Sequence, residues 1–322
     1  MDLRPVTLSQ MRYAVAIEDR GSFRRAAEYC AVSQSGLSMQ VRKLEGLLGV
    51  ELFDRSRKPV IVTDEGREAL RQMRVVLRET ERLGQLVAEQ GEPSGRYRLG
   101  VIPTMAGSIL PLFLRDLVEQ YPRVELRVEE LETSDLVARL LTDTLDAGIA
   151  AIPLEIPGVR ETSLGQEPLL AYLAPGDPLL RSERLEEHDL RDRHLWMLPE
   201  GHCFRTQVLS LCDPSGGGRP GRLHFESGSF ETLMRLVDDG FGATIIPALV
   251  ASRLPPEVRR DRVRPLGPPI PVREIGLVTA RDALRKTIRA TLMHLLKAEL
   301  SRALPPDEGA FQRLTPRAET AD

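Results

Sequence analysis

Cysteine is scarce in this sequence, which contains only three among 322 residues. Three cysteines cannot build a structural disulfide framework, and with five scattered histidines they form no zinc-binding pattern, so no metal or other cofactor is predicted. Long apolar runs are also missing: no stretch reaches eighteen residues, and residues 1–5 contain no signal-peptide core. These absences predict a cytoplasmic protein without a membrane segment. The length suits two or three domains.

Two of the three cysteines lie together in residues 200–212, which read EGHCFRTQVLSLC. Three apolar side chains recur there at helical spacing: Phe204, Val208 and Leu211. They predict a short helix from about Cys203 to Leu211. At its N-terminus, unpaired N–H groups and the positive end of the helix dipole would stabilise a thiolate, and Arg205 and His202 would add positive charge. A lowered pKa and a reactive sulfur are therefore predicted for Cys203.

The spacing of the two cysteines bears on whether they can bond. If the helix continues to Cys212, a rise of about 1.5 Å per residue separates the two backbones by roughly 13 Å, whereas a disulfide needs Cα atoms closer than about 7 Å. A bond would require the helix to come apart, which the flanking Pro199, Pro214 and glycines 216–218 would make easier. Alternatively both sulfurs are inert small hydrophobes, and the residue pattern leaves both interpretations open.

The net charge of −3 conceals an uneven distribution, because residues 1–62 carry ten Lys or Arg against seven Asp or Glu. A basic N-terminal part on an acidic body points to a nucleic-acid partner. Helical patterns at residues 7–20, Phe23–Tyr29 and 34 to about 48, separated by tight turns, predict a helix-turn-helix.

The third of these helices predicts a DNA-reading surface. Its polar side carries residue types that pair with base edges or phosphates: Gln34, Ser35, Ser38, Arg42 and Lys43. Residues 52–62 then alternate like a short hairpin with three positive charges at its tip: Arg55, Arg57 and Lys58. This hairpin predicts a wing that lies against the phosphate backbone.

Residues 1–62 resemble the winged helix-turn-helix of LysR-type transcriptional regulators. The matching runs include Phe23–Ala27, Val32–Ser35, Gln40–Glu45, Leu48–Arg55 and, just beyond, Thr63–Gly66. The resemblance implies that the protein binds double-stranded promoter DNA. It adds further residues to the expected DNA contacts: Phe23, Arg24, Ser33 and Gln40.

Beyond residues 1–62, the spacing of apolar residues over 63–91 predicts a dimerisation helix of about 40 Å, followed by a hinge at 92–96. Alternating strand and helix patterns then predict a parallel α/β sheet, including a strand at Leu223–Glu226. The family resemblance continues over 97–304 and implies a two-lobed α/β effector domain like a periplasmic binding protein. Its lobe I would comprise 97–167 and 270–304, and its lobe II 168–269. The fold class is thus α+β multidomain, and the polar tail 305–322 is predicted to be disordered.

Within the family, the effector region resembles the peroxide-sensing members. The matching segments are Gly201–Arg205 with Cys212, Ile102–Thr104, Glu132–Thr133, Ile246–Leu249, and Arg273 with Ile275–Val278. The resemblance implies that hydrogen peroxide oxidises Cys203 to a sulfenic acid, which Cys212 resolves as a disulfide. It implies a peroxide-binding pocket that contains Thr104, Thr133, His202, Arg205 and Arg273. Thr206 departs from the pattern, because these relatives usually have an aspartate there.

The same resemblance implies a homotetramer, a dimer of dimers, whose geometry and DNA binding change when the disulfide forms. RNA polymerase and a cellular thiol-reducing system are the further partners expected for such a regulator, which is not an enzyme. Two alternatives remain. A LysR-type regulator could instead bind a small organic effector between its lobes, with incidental cysteines. A thiol peroxidase could carry a DNA-binding domain.

Overall fold

The structure is a computed structural model that describes residues 5–57, 59–88, 92–191, 193–212, 228–280, 285–305 and 311–316. Within these ranges, the side chains of residues 78, 81–88, 191 and 212 are outside the description. The chain divides into two units, residues 1–90 and 91–322, named here the head and the effector unit. No helix in the described ranges is long and apolar enough to cross a membrane.

In its described residues, the head contains four helices and a small hairpin: α1 (Leu8–Arg20), α2 (Phe23–Tyr29), α3 (Gln34–Leu48), β1 (Phe53–Asp54), β2 (Ile61–Val62) and α4 (Asp64–Ala88). The hairpin is antiparallel, with Phe53 opposite Val62. The predicted helix-turn-helix and its wing are therefore both present.

Side-chain caps fix where α1 and α3 begin. Thr7 and Gln10 form a reciprocal capping box at the start of α1. At the start of α3, Ser33 Oγ accepts the N–H of Gly36 at 3.1 Å. A Cβ on residue 36 would lie only 2.9 Å from that oxygen. Glycine therefore leaves room for the cap, at a cost in helix propensity of up to about 1 kcal/mol.

One apolar core joins the three short helices, the hairpin and the first turns of α4. Its fully buried members include Ala14, Ile17, Leu37, Val41, Leu44, Leu52 and Leu70. Arg74 of α4 also donates to Glu18 of α1 at 2.6 Å. Because three core residues come from α3, the opposite side of that helix faces outward.

The effector unit alternates strands and helices: β3 (Gly95–Val101), α5 (Pro103–Gln120), β4 (Val124–Glu130), α6 (Thr133–Leu141), β5 (Ala147–Ile152), β6 (Val159–Leu173), α7 (Glu187–Arg191), β7 (Leu195–Trp196), α8 (Cys203–Cys212), α9 (Phe230–Asp238), β8 (Ala243–Pro247), α10 (Ala248–Ala251), α11 (Pro256–Arg262), β9 (Val263–Pro265), β10 (Ile270–Ala280), α12 (Lys286–Ala303) and β11 (Phe311–Arg313). The helix predicted from Cys203 is confirmed as α8. The strand predicted at Leu223–Glu226 lies outside the described residues.

Two long strands, β6 and β10, connect the halves of the effector unit. The strand order is β4-β3-β5-β10-β6-β8-β7, with β11 on β10 and β9 on β6. β3 is parallel to β4 and β5, but β10 is antiparallel to β5 and β6, and β6 is antiparallel to β8. The prediction of a parallel sheet is therefore wrong in part, because the two connecting strands run in opposite directions.

Two separate apolar cores define two lobes. The lobe I core includes Leu99, Phe113, Ile149, Ile275 and Leu292. The lobe II core includes Tyr172, Trp196, Phe204, Val237 and Ile245. The strand β6 contributes Leu164 to the first core and Leu169 to the second. It thus passes without interruption through the lobe boundary expected at 167/168, and that boundary stays a prediction.

Two predictions about chain segments need correction. The strand β3 begins at Gly95, within the predicted hinge 92–96, because Gly95 already donates to the Arg123 carbonyl at 2.8 Å and pairs with Val124. In the tail, β11 pairs in parallel with β10. Predicted disorder is therefore wrong for residues 311–316, where the edge of a sheet supplies main-chain partners that composition does not reveal.

Candidate functional site

Cys203 is the first residue of α8 and lies where the two lobes meet. Its side chain is 8% exposed and belongs to the lobe I core. Three other apolar residues of the same helix fill the lobe II core: Phe204, Val208 and Leu211. The sulfur is thus packed in one lobe while its helix is anchored in the other.

The loop before α8 is placed by Gly201. This residue has φ of +89°, which glycine adopts without the strain of a side chain. The position that its Cβ would take lies 3.3 Å from a carboxylate oxygen of Glu132. Glu132 is the N-cap of α6, so the loop lies directly against the start of that helix. This approach brings Cys203 to Thr133, the first residue of α6.

Several groups near the Cys203 sulfur favour its ionised form. The Thr133 hydroxyl, the charge of Arg273 and the backbone N–H groups of Phe204 and Cys203 each favour the thiolate. Burial has the larger effect and raises the pKa of Cys203 above its ordinary value of 9.0. The prediction of a lowered pKa is therefore wrong, because this helix N-terminus lies inside the protein, where a thiolate loses its hydration.

Arg273 of β10 is fully buried and lies at the centre of the polar groups around Cys203, a cluster named here the Cys203 pocket. Its Nε donates to Glu167 Oε2 at 2.7 Å. Its Nη1 donates to Thr104 Oγ1 at 3.2 Å, and its Nη2 to the Thr104 carbonyl at 3.1 Å. The guanidinium also lies 5.4 Å from the centre of the Phe204 ring. The structure thus brings Thr104, Thr133, Cys203 and Arg273 together.

Arg205 and His202 take other positions. Arg205 Nη1 donates to the Leu198 carbonyl at 3.2 Å, and the His202 imidazole lies beside Gly228. Arg273 is the cation whose charge favours the Cys203 thiolate and partly offsets the effect of burial on its pKa. The prediction that Arg205 and His202 supply this charge is therefore corrected.

The sequence interpretation missed Glu167. This fully buried carboxylate pairs with Arg273 and accepts the backbone N–H of Leu249, the second residue of α10, at 2.8 Å. From β6, the other strand that connects the lobes, Glu167 neutralises the charge of Arg273 and orients its guanidinium. Its position directly before the apolar run at 168–173 could have indicated a buried carboxylate. The sequence does not indicate which cation that carboxylate pairs with.

Cys212 is the last residue of α8, and its side chain lies outside the described residues, as does the whole of Lys58. Nine residues of helix place the Cα atoms of Cys203 and Cys212 roughly 13 Å apart. Cys203 is a free thiol, and so is Cys30 in the head. In this arrangement, the two cysteines of α8 cannot be bonded to each other.

The outward side of α3 carries the proposed DNA-reading residues. Gln34, Ser35, Arg42 and Lys43 are all exposed. The structure adds Met39, which the sequence interpretation did not consider and which is 63% exposed. With 3.6 residues per turn, Met39 lies one turn after Ser35 and about one turn before Arg42. It is therefore near the centre of the outward face.

Other residues expected to contact DNA are held by partners within the head. Arg55 donates to Glu45 at 2.6 Å and to Ser38 at 3.3 Å. Its guanidinium also lies 4.9 Å from the centre of the Phe23 ring. Gln40 accepts a hydrogen bond from Gln10 at 3.0 Å. The Arg55 contacts position the wing against α3, and the Gln40 contact joins α3 to α1.

The remaining predicted DNA contacts lie at the surface or form caps. Arg24 pairs with Glu28 at 3.4 Å, and Arg57 pairs with Asp54 at 3.6 Å. Both pairs are well exposed, so they are weak and leave the cations available to a phosphate. Ser33 serves as the cap of α3.

Both units match known protein families. The family model "Bacterial regulatory helix-turn-helix protein, lysR family" matches residues 8–67, and "LysR substrate binding domain" matches residues 90–300. The chain is 38% identical over 276 residues to the "DNA-binding transcriptional dual regulator OxyR" of Escherichia coli K12, a match that covers 85% of this chain and 89% of that protein. It is 34% identical to the "Hydrogen peroxide-inducible genes activator" of Haemophilus influenzae, with 85% and 90% covered.

Solved structures of OxyR proteins share the fold. A full-length cysteine-to-aspartate variant of OxyR from Pseudomonas aeruginosa superposes with a TM-score of 0.73 at 31% identity, covering 91% of this chain and 97% of that one. A peroxide-bound cysteine-to-serine variant from Corynebacterium glutamicum gives 0.59 at 30% identity, with 94% and 95% covered. The resemblance suggested by the sequence is confirmed: the chain belongs to the LysR family of transcriptional regulators.

Proposed function

We propose that this chain is a hydrogen peroxide-sensing transcriptional regulator with Cys203 as the reactive thiol and Cys212 as the resolving thiol. The observation that carries the proposal is the arrangement at Cys203, a buried thiol at the start of α8 with Thr133 and Arg273 beside it. The similarity to OxyR and to hydrogen peroxide-inducible activators supports the same assignment.

In the proposed reaction, the Cys203 thiolate attacks one oxygen of hydrogen peroxide and the O–O bond breaks. The leaving hydroxide takes a proton and becomes water, and Cys203 becomes a sulfenic acid. The Cys212 thiol then attacks the oxidised sulfur, the S–O bond breaks, and a second water leaves. Overall, two thiols and one peroxide give one disulfide and two waters.

The pocket residues have distinct proposed roles. Thr133 and the N–H groups at the start of α8 stabilise the thiolate once the thiol proton has left. Arg273 adds positive charge where the leaving oxygen becomes negative. Thr104 and Glu167 hold Arg273 in place and are positioning residues. Arg205 donates to the Leu198 carbonyl and His202 lies beside Gly228, so both would act only after a rearrangement of the loop.

The second step requires α8 to unwind, because its length keeps the two cysteines too far apart. Unwinding would withdraw Phe204 and Val208 from the lobe II core and separate Phe204 from Arg273. A change at the lobe boundary would follow. We propose that this change alters the assembly of a homotetramer, a dimer of dimers joined partly through α4, and hence its footprint on promoter DNA.

The head would dock on double-stranded DNA through α3, with the wing on the phosphate backbone. Contact with RNA polymerase and re-reduction by a cellular thiol system complete the proposed cycle. Each chain would react with one peroxide per cycle, which distinguishes a sensor from a thiol peroxidase that turns over continuously.

The test is a thiol titration before and after one equivalent of peroxide, with peptide mapping of the products. Two thiols should disappear in the wild type, joined as Cys203–Cys212. Cys203→Ser should abolish the loss, whereas Cys212→Ser should leave a trappable sulfenic acid at Cys203. Cys30→Ser is the matched control, because Cys30 is the other described free thiol, and it should behave like the wild type.

Retention of all thiols after peroxide would contradict the proposal and favour a LysR-type regulator with an organic effector. First oxidation at Cys212 would reverse the assignment of the two cysteines. A Cys30→Ser variant that no longer responds would place the sensor in the head instead.

A further inference from the structure

The C-terminal tail contacts two of the elements that form the Cys203 pocket, β10 and α8. After α12, the strand β11 (Phe311–Arg313) pairs in parallel with residues 270–272 of β10. The N–H of Leu314 donates to the Val272 carbonyl at 2.9 Å, and Arg313 pairs with the nearly buried Glu274 at 2.8 Å. Tail contacts therefore lie on both sides of Arg273 in β10.

The same tail residue, Leu314, also contacts α8. Its side chain is 3% exposed and belongs to the lobe II core, together with Phe204, Val208 and Leu211 of that helix. Its carbonyl accepts a hydrogen bond of 2.9 Å from Gln207 Nε2. Leu314 is thus joined to β10 by its N–H and to α8 by its carbonyl.

Gln207 makes this contact specific. It lies near the middle of α8 and is completely buried, so its amide has no access to water. Its Oε1 has no hydrogen-bond partner in the described part of the chain. The bond to Leu314 is therefore what satisfies the donor side of this amide, and its loss inside the protein would leave the whole group unpaired.

We infer that residues 311–316, named here the tail clamp, hold α8 in its helical form and thereby set how readily the Cys203–Cys212 disulfide forms. This inference rests on the proposed function. Gln207 lies between the two cysteines, so unwinding α8 must move it and break its bond to Leu314. The contacts between the tail clamp and α8 exist only while α8 is helical, so they favour the dithiol over the disulfide.

The experiment compares two proteins that keep both units and are shortened only at the C-terminus. One ends after Ala310 and lacks the tail clamp, and the matched control ends after Pro316 and keeps it. Both lack residues 317–322, so they differ only in 311–316. The dithiol–disulfide equilibrium is measured in buffers of reduced and oxidised dithiothreitol. Without the tail clamp, the equilibrium constant for the disulfide should rise on the order of ten-fold, about 30 mV towards a more negative potential.

Amide exchange of the reduced proteins supplies a second readout that involves no oxidation. Exchange in α8 should be faster without the tail clamp, whereas exchange in α5 of lobe I should match the control. Leu314→Ala is a milder variant for the case in which the shorter protein folds poorly. It removes the buried side chain but keeps the main-chain bonds, and should shift both readouts in the same direction by a smaller factor.

The inference would be overturned if the two truncated proteins had the same midpoint of the dithiol–disulfide equilibrium and the same rate of amide exchange in α8. If neither protein forms the Cys203–Cys212 disulfide but α8 exchanges faster without the tail clamp, the clamp stands and the proposed peroxide chemistry fails. If the disulfide forms in both with the same midpoint, the proposed function stands and the clamp's control of it fails.

Discussion

The outward face of α3 and the Cys203 pocket are built in opposite ways. The first consists of exposed side chains from a single helix, between Gln34 and Lys43. The second consists of buried side chains from separate strands and helices, with Thr104 and Arg273 in contact across 169 positions of sequence. On the exposed face each side chain acts largely alone, whereas in the pocket each charged group depends on its partner for burial.

The largest effect should come from breaking the buried pair. Arg273→Met leaves the Glu167 carboxylate without its cation inside the protein, and removal of one partner from a buried ion pair costs about 3–5 kcal/mol. We expect such a loss in the free energy of unfolding of the effector unit, measured by urea denaturation of the full-length protein. The emission of Trp196, in the lobe II core, follows the transition.

The matched control for this pair is the double variant Arg273→Met with Glu167→Leu. It removes both charges, so its loss in the free energy of unfolding should be smaller than that of Arg273→Met alone. If the double variant loses as much unfolding free energy as the two single variants together, Arg273 and Glu167 act independently. The Cys203 pocket would then resemble the outward face of α3, where each side chain acts largely alone.

A smaller effect is expected on the outward face of α3, and on DNA binding rather than on stability. Arg42→Ala should reduce binding to the specific promoter site by about 1–3 kcal/mol and leave the unfolding free energy unchanged, because Arg42 is exposed. Arg57→Ala on the wing should weaken specific and random DNA alike and reduce the salt slope by about 1. Footprinting and titration at several salt concentrations measure both. Equal loss on random DNA for Arg42→Ala would argue against base reading.

The buried thiol should respond to pH where the exposed face does not. Burial raises the pKa of Cys203 above that of an ordinary cysteine, so the thiol is the resting form near neutral pH. The rate of sulfenic acid formation in Cys212→Ser should therefore rise about ten-fold per pH unit from pH 6 to 8, since the thiolate fraction does so. DNA binding by the reduced protein should stay nearly constant over this range. A rate that levels off near pH 7 would show that the thiolate is the resting form.

The smallest effect concerns Met39. An exposed methionine at the centre of the outward face of α3 suits apolar contact with the methyl group of thymine. Replacing one contacted thymine by uracil should weaken binding by about 0.8 kcal/mol, the value of one buried carbon group. In Met39→Ala the same replacement should have no effect. An equal uracil penalty in both proteins would place Met39 away from the bases.

Local features of the sequence were sufficient to predict the local features of the fold. Thr7 and Ser33 mark the starts of α1 and α3, and the apolar spacing of Phe204, Val208 and Leu211 indicates α8. The outward side of α3 also follows from helical period alone. Met39 was missed there because its chemistry is apolar, although its position is given by the same period.

The Cys203 pocket was predictable only in part, because its properties arise from contacts between distant segments. Arg273 and Thr133 were anticipated from family resemblance, but Glu167 was not, since no local pattern pairs it with Arg273. The sign of the Cys203 pKa shift depends on burial between two lobes, which a helix start does not indicate. The tail was misjudged because Leu314 gains its partners from β10 and α8 rather than from its neighbours in sequence.

The burial of Cys203 also bears on the size of the oxidants that can reach it. A sulfur enclosed by the lobe I core admits a molecule as small and uncharged as hydrogen peroxide more readily than one with a bulky organic substituent. Tert-butyl hydroperoxide carries the same O–O bond but requires the lobes or α8 to open first. Its reaction with Cys203 should therefore be limited by the opening of the protein and not by the strength of the oxidant.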